Sequence, residues 1–163
     1  MVRPSAKRQH QHGFSLIELL IVFVIAAILF VVGFVNLGRP QANATISGSI
    51  DTLLTDLKAQ QSQAMVGGTS GLATAQAYGL YVQSSSYTVF AGTSYSAGNA
   101  TNFVLTMPTG VSLSTTLPSS TVVFSKGTGE VQGFVSGSNT ISLTNATGVK
   151  TITINRLGTL TLN

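Results

Sequence analysis

The chain has no cysteine, no tryptophan and two histidines, and only 7% of its 163 residues are charged. Without cysteine there is neither a disulfide framework nor a thiolate metal site, although the compartment stays open, because many exported domains also lack cysteine. Both histidines, His10 and His12, precede Gly13, and so do Arg3, Lys7 and Arg8. After Gly13, five Lys or Arg stand against four Asp or Glu, a net charge of about +1 where the whole chain carries +4. The basicity is mostly that of the leader. A near-neutral body does not predict a broad nucleic-acid-binding patch. The length predicts one globular unit plus a terminal segment, and 44% hydrophobic residues suit a membrane-attached or extracellular protein.

Groups that could do chemistry are equally scarce. Past the apolar amino-terminal run the carboxylates are Asp51, Asp56 and Glu130. Asp51 and Asp56 lie about 140° apart around a helix, so they do not form a facing acid pair and read as solvated positions. Serine and threonine are plentiful, but a nucleophilic hydroxyl needs a base, and the candidates are the isolated Lys126 and Lys150. No Asp-x-Asp spacing suggests calcium. Lys126 with Gly127 and Gly129 lacks the ending of a phosphate-binding loop and the helix after it, and reads as a hairpin turn. Three Asn-x-Thr triplets, at Asn43, Asn99 and Asn145, are put down to chance in a Thr-rich chain. The stretch holding Tyr78, Tyr81, Tyr87, Phe90 and Tyr95 could stack on a glycan or base, but strand alternation assigns most of these rings to core or cross-strand pairs. The expectation is a non-enzyme with no cofactor and no metal.

What the chain does have is Gly13-Phe14-Ser15-Leu16-Ile17-Glu18, set between the basic leader and an apolar run. From Phe14 to Val35 there are 22 residues with a single charge, and about 20 apolar residues suffice to cross a bilayer as a helix. The basic leader should stay in the cytoplasm, which sends the residues after Val35 outside. An ordinary secretory signal has a shorter apolar core, followed closely by a small-x-small site. Ala42-Asn43-Ala44 offers such a site at some distance, and cleavage there would leave a chain beginning at Thr45. Under that reading Glu18 has no purpose. A carboxylate in a membrane is costly and marks a functional site by default.

Basic leader, Gly, Phe, three small or apolar residues, Glu and then a hydrophobic helix together resemble the class III signal of type IV pilins and type II secretion pseudopilins. The resemblance implies that a prepilin peptidase cuts between Gly13 and Phe14, that Phe14 is N-methylated, and that the apolar helix is retained for assembly. It also implies that residues 1–13 are lost. The new amine on Phe14 and the carboxylate of Glu18, four residues on, would share one side of a helix and neutralise each other within or between chains.

Gly33, just before Val35, with Gly38 and Pro40 beyond it, predict a bend near 38–40. Helical periodicity then resumes through Ile46, Ile50, Leu53, Leu54, Leu57, Ala64 and Met65, so residues 36–66 read as an amphipathic continuation of the helix at 14–35. Val66-Gly67-Gly68 ends it. Alternating runs follow at Tyr78–Val82, Tyr87–Ala91, Phe103–Met107, Thr121–Phe124, Thr140–Thr144, Lys150–Asn155 and Thr159–Leu162. In the last two, Ile or Leu falls on one face and Thr on the other. The fold expected is α+β: a long helix packed on an exported antiparallel β domain, residues 72–163, as two small sheets.

Val122-Val123-Phe124-Ser125, Ile141-Ser142-Leu143, and Thr151-Ile152-Thr153-Ile154 closing on Gly158-Thr159-Leu160 resemble the carboxyl-terminal half of GspH/FimT-like minor pseudopilins. The resemblance implies a structural subunit of a type II secretion pseudopilus or type IV pilus. Its partners would be other pilin subunits, the prepilin peptidase, the inner-membrane assembly platform and, before assembly, membrane lipid. It would be a single-pass protein of the cytoplasmic membrane and then part of a filament. An alternative is a pilus-tip subunit for DNA uptake or adhesion. Some members of the family tie a basic segment near the last glycine to DNA; here that stretch holds only Arg156, with Lys150 upstream as a second possible nucleic-acid contact.

Overall fold

The computed structural model describes residues 15–71 and 74–163, apart from the side chains of residue 32 and residues 34–40. The leader, Gly13 and Phe14 lie outside the described residues. The chain divides into two units, Met1–Gly38 and Arg39–Asn163. A helix, α1 (Leu16–Val66), is assigned through both.

In the second unit, α1 presents Ile46, Ile50, Leu53, Leu57 and Ala64, all 0–3% exposed. Their spacings of three, four and seven put them on one stripe, and burying each large side chain contributes about 2 kcal/mol. Leu54 packs at the margin of this core. Met65 departs from the expected stripe, because it sits one position beyond Ala64, about 100° further round the helix. It is 51% exposed, and part of its side chain lies against Gly129. The helix ends as expected. Gly67 takes φ 75°, the Gly68 N–H reaches back to the Gln63 carbonyl at 2.8 Å, and the Gly127 N–H donates to the Ala64 carbonyl at 2.8 Å. The first bond has the 6→1 spacing of a Schellman stop.

Eight strands follow: β1 (Tyr78–Val82), β2 (Ser86–Ala91), β3 (Phe103–Thr106), β4 (Ser112–Thr115), β5 (Thr121–Phe124), β6 (Thr140–Asn145), β7 (Gly148–Ile154) and β8 (Leu160–Leu162). They make two antiparallel sheets of four, in the orders β3-β2-β1-β5 and β4-β6-β7-β8. The protein is therefore α+β, with a helix packed on two small sheets. Leu80, Val82, Tyr87, Val122 and Phe124 from the first sheet join Leu113, Ile141, Leu143, Ile152 and Ile154 from the second around the helix stripe.

Strand β4 has no counterpart in the sequence reading, because Ser112-Leu113-Ser114-Thr115 offers one apolar residue. It is an edge strand paired with β6, with Leu113 opposite Leu143, and the Leu113 N–H also donates to the Ser84 carbonyl at 2.8 Å, ahead of β2. In β7, Ile152 and Ile154 are buried as the alternation predicts, but in the edge strand β8 Leu162 is 42% exposed. The Lys126–Gly129 stretch makes a tight turn: Ser125 N–H donates to Glu130 at 2.8 Å, and Phe124 bridges Val131.

Candidate functional site

In the first unit, apolar side chains are exposed on every side of the helix. Leu16, Ile17 and the run Leu19–Ile25 are all at least half exposed, as are Ile28, Leu29, Phe30 and Val31. Nine of the ten consecutive residues 16–25 are large and apolar, so there is no polar face for water. A helix apolar all round calls for lipid or protein around it. Among the described residues, no helix is long and apolar enough to cross a membrane; the sequence run Phe14–Val35 extends past the described side chains at both ends.

Glu18 interrupts this surface at the first turn. Its Oε2 accepts from the Ser15 N–H at 3.4 Å, while the Glu18 N–H reaches the Ser15 Oγ at 3.3 Å. Ser-x-x-Glu is the pattern of a capping box, in which side chains satisfy amide donors that the helix start leaves free. Both bonds are long and exposed, so each is weak. Among the described residues no second bond to the Glu18 carboxylate occurs, which leaves Oε1 to accept another donor. The cap holds the acid at the helix tip, where a negative charge also faces the positive end of the helix dipole. Sequence reasoning singled out Glu18 but missed Ser15, although the Ser-x-x-Glu spacing was there to be read.

The two candidate nucleic-acid contacts are not brought together. Lys150 is half-buried on β7 and donates to Ser47 Oγ at 3.0 Å. Arg156 is exposed in the turn after β7, and its carbonyl accepts from the Val131 N–H at 3.0 Å. The neighbouring Leu157 carbonyl accepts from Gln61 Nε2 at 3.1 Å. Ser47 and Gln61 are fourteen residues apart on α1, about 21 Å of helix rise, so the two cations lie toward opposite ends of the packed helix.

Two of the Asn-x-Thr triplets have a structural reason in place of chance. Asn99 Oδ1 accepts from the N–H and hydroxyl of Thr101, and Asn145 Oδ1 does the same for Thr147. These are Asx turns, which Asn favours because its side chain imitates a backbone carbonyl. Asn145 Nδ2 also donates to the Ala42 carbonyl at 2.7 Å, pinning the β6–β7 hairpin to the helix. Asp56, expected as a solvated position, is half-buried and accepts a hydrogen bond from Tyr87 at 2.5 Å. Asp51 is exposed, as expected. Among the described residues, no group of three or more His, Cys, Asp or Glu is placed to hold a metal ion.

The model of the prokaryotic N-terminal methylation motif matches residues 8–34. The matched segment holds the end of the basic leader, the Gly13–Phe14 bond, Glu18 and nearly all of the apolar run. It supports a type IV pilin-like precursor that is processed by prepilin peptidase, anchored in a membrane, and then assembled with other pilin subunits as a structural component. Neither a curated protein nor a solved structure matches the chain.

Proposed function

We propose that this protein is a GspH/FimT-like minor pseudopilin, a structural subunit of a type II secretion pseudopilus or type IV pilus. Cleavage between Gly13 and Phe14 removes the leader and frees the Phe14 amine, which is then methylated. Before assembly the helix spans the cytoplasmic membrane once, with its amino terminus in the cytoplasm and the β domain exported. A bend near residues 38–40 belongs to this reading, because Gly38 and Pro40 weaken the helix there. On assembly, at the inner-membrane platform, the apolar surface of residues 14–35 exchanges lipid for neighbouring helices.

The observation that carries this reading is the contrast along one helix. Its first part is apolar and exposed on all sides, with one capped carboxylate at the tip; its later part buries a single stripe against its own domain. Glu18 is too weakly held by Ser15 to be neutralised there, and an amine on its own or an adjacent chain offsets the cost of placing it among helices. Cleavage after Ala44 fits less well. It would remove Ala42, whose carbonyl holds Asn145, and start the chain one residue before Ile46 of the core stripe.

The test is recovery of the subunit in filaments sheared from the native host. Glu18→Val should remain in the membrane fraction and be absent from filaments. Normal incorporation of Glu18→Val would overturn the charge-pairing mechanism.

A further inference from the structure

The five aromatic residues clustered in the sequence do not share one role in the folded β domain. Tyr78 and Tyr87 face the main core. Phe90 is buried on the other side of the first sheet, over Gly79: a Cβ at that glycine would meet Phe90 Cζ at 2.6 Å. Above Phe90, Tyr95 from the loop after β2 stacks on Tyr81 of β1, with centroids 4.2 Å apart and planes 11° from parallel. Phe90 braces Tyr95 edge-on at 5.7 Å. Two half-exposed tyrosine rings are thus fixed in place by a buried third ring.

Both tyrosines line an open groove of about 530 Å³, within the range of small-molecule sites, roughly 300–1,000 Å³. Facing them are hydroxyls and carboxamides, among them Thr93, Ser94, Ser119, Gln132 and Asn139. Among the described residues, the side chains of Thr93, Ser94, Ser119 and Gln132 make no hydrogen bond. Asn139 uses Nδ2 to reach the Ile154 carbonyl at 2.7 Å, which leaves its Oδ1 as an acceptor. On the groove wall Ser119 takes φ 51°, followed by Ser120 at 55°. Left-handed serines cost energy and collect at functional sites.

The chemistry of this lining selects among occupants. None of the lining residues is ionisable near neutral pH, so a phosphate-bearing strand finds no cation to pair with. An extended peptide would need a free strand edge to add to. The outer edge of β5 is already taken: Val123 O accepts from Gln132 N–H at 2.8 Å, Ser125 N–H donates to Glu130, and Thr121 N–H donates to Pro118. Rigid aromatic faces beside neutral donors and acceptors fit a ligand with an apolar C–H face and a rim of hydroxyls.

We infer that this groove is a binding site for a neutral oligosaccharide, with the Tyr81–Tyr95 stack as its platform and Gln132, Asn139 and Ser119 meeting the hydroxyls. The site lies wholly within the β domain. It does not depend on how the amino-terminal helix assembles.

The full chain in detergent micelles, applied to an array of neutral hexose and N-acetylhexosamine oligosaccharides printed beside sialylated and sulfated glycans, tests this. Binding is expected to a neutral oligosaccharide and to be insensitive to salt. It should weaken roughly two- to tenfold in Tyr95→Ala, which removes one ring of the platform. Tyr95→Phe, which keeps the stack, should retain binding, and so distinguishes a lost platform from a lost fold. Exposed Gln132→Ala should weaken binding without lowering the melting temperature. No neutral glycan bound, binding confined to charged glycans and lost with salt, or affinity unchanged in both Tyr95→Ala and Gln132→Ala would each overturn the inference.

Discussion

Tyr87, wholly buried on β2, donates its hydroxyl hydrogen to Asp56 Oδ2 at 2.5 Å, tying the packed half of the helix to the middle of the first sheet. Burial raises the phenol's pKa first, and the hydrogen bond to Asp56 and its negative charge raise it further, well above the ordinary value near 10. The folded protein therefore keeps the Tyr87 proton at pH values where the unfolded chain has lost it. The stabilisation is complete below about pH 10 and is lost as pH rises through the elevated folded value. Stability of the full chain should fall above pH 10 by about 1.4 kcal/mol per pH unit for this one proton. Tyr87→Phe should remove that component of the slope. At neutral pH it should cost about 1–3 kcal/mol, because Asp56 is left half-buried without its donor. Denaturant titrations of both proteins at pH 8 and pH 11 read the two effects separately.

Gln61 clamps two loops to the end of the helix, donating from Nε2 to the Gly129 and Leu157 carbonyls at 3.1 Å each. Gly158 makes room for it: φ is 79°, and a Cβ there would meet the Gln61 amide and, at 2.7 Å, the Gly129 carbonyl. Gly158→Ala should destabilise by about 1–3 kcal/mol through the strained backbone and displaced clamp. Thermal unfolding checks this; a melting temperature equal to the parent's would mean that the loop moves freely.

Leu53 has no exposed surface and belongs to the main core cluster. Leu53→Ala should cost about 2–5 kcal/mol. Leu19→Ala, on the exposed first part of the helix, should leave the stability of the β domain unchanged. Equal losses from the two substitutions, read by protease resistance of the β domain, would contradict the division of the helix into an apolar assembly surface and a packed half.

The cap and the charge at Glu18 can be separated. Gln at the third helical position still accepts from the Ser15 N–H, so Glu18→Gln should keep the capping box and lose only the charge. Ser15→Ala should do the reverse, weakening the helix start by about 1 kcal/mol while the carboxylate stays. If charge pairing governs assembly, Glu18→Gln fails to enter filaments and Ser15→Ala succeeds with lower yield. The opposite ranking would make the cap the essential element.

How much could be read from the sequence follows from how local each feature is. The Gly13-to-Glu18 pattern is a contiguous motif and is matched as one, while the stripe from Ile46 to Ala64 and the Gly67 stop join residues within a turn or two of one another, where helical spacing dictates neighbours. Met65 lies off that stripe because it stands one position beyond Ala64, about 100° further round the helix. The Asp56–Tyr87 bond joins positions 31 residues apart, and the pairing of Gln61 with Gly158 is more distant still. Helix periodicity makes no statement about either. Tyr95 could not be assigned to the Tyr81 stack from strand alternation, because it lies in the loop after β2. The weak edge strand β4 is invisible for a different reason: it is held by distant partners, β6 and the Ser84 carbonyl, and its own residues carry almost no pattern.

Mass spectrometry of the mature amino terminus, on protein isolated from its native host, tests the filament-subunit reading most directly. A chain beginning with N-methylated Phe14 is the expected result, and it puts a free amine four residues from Glu18 on a retained apolar helix. A chain beginning at Thr45 would mean that this helix and Glu18 are discarded, and assembly by the mechanism described would be impossible.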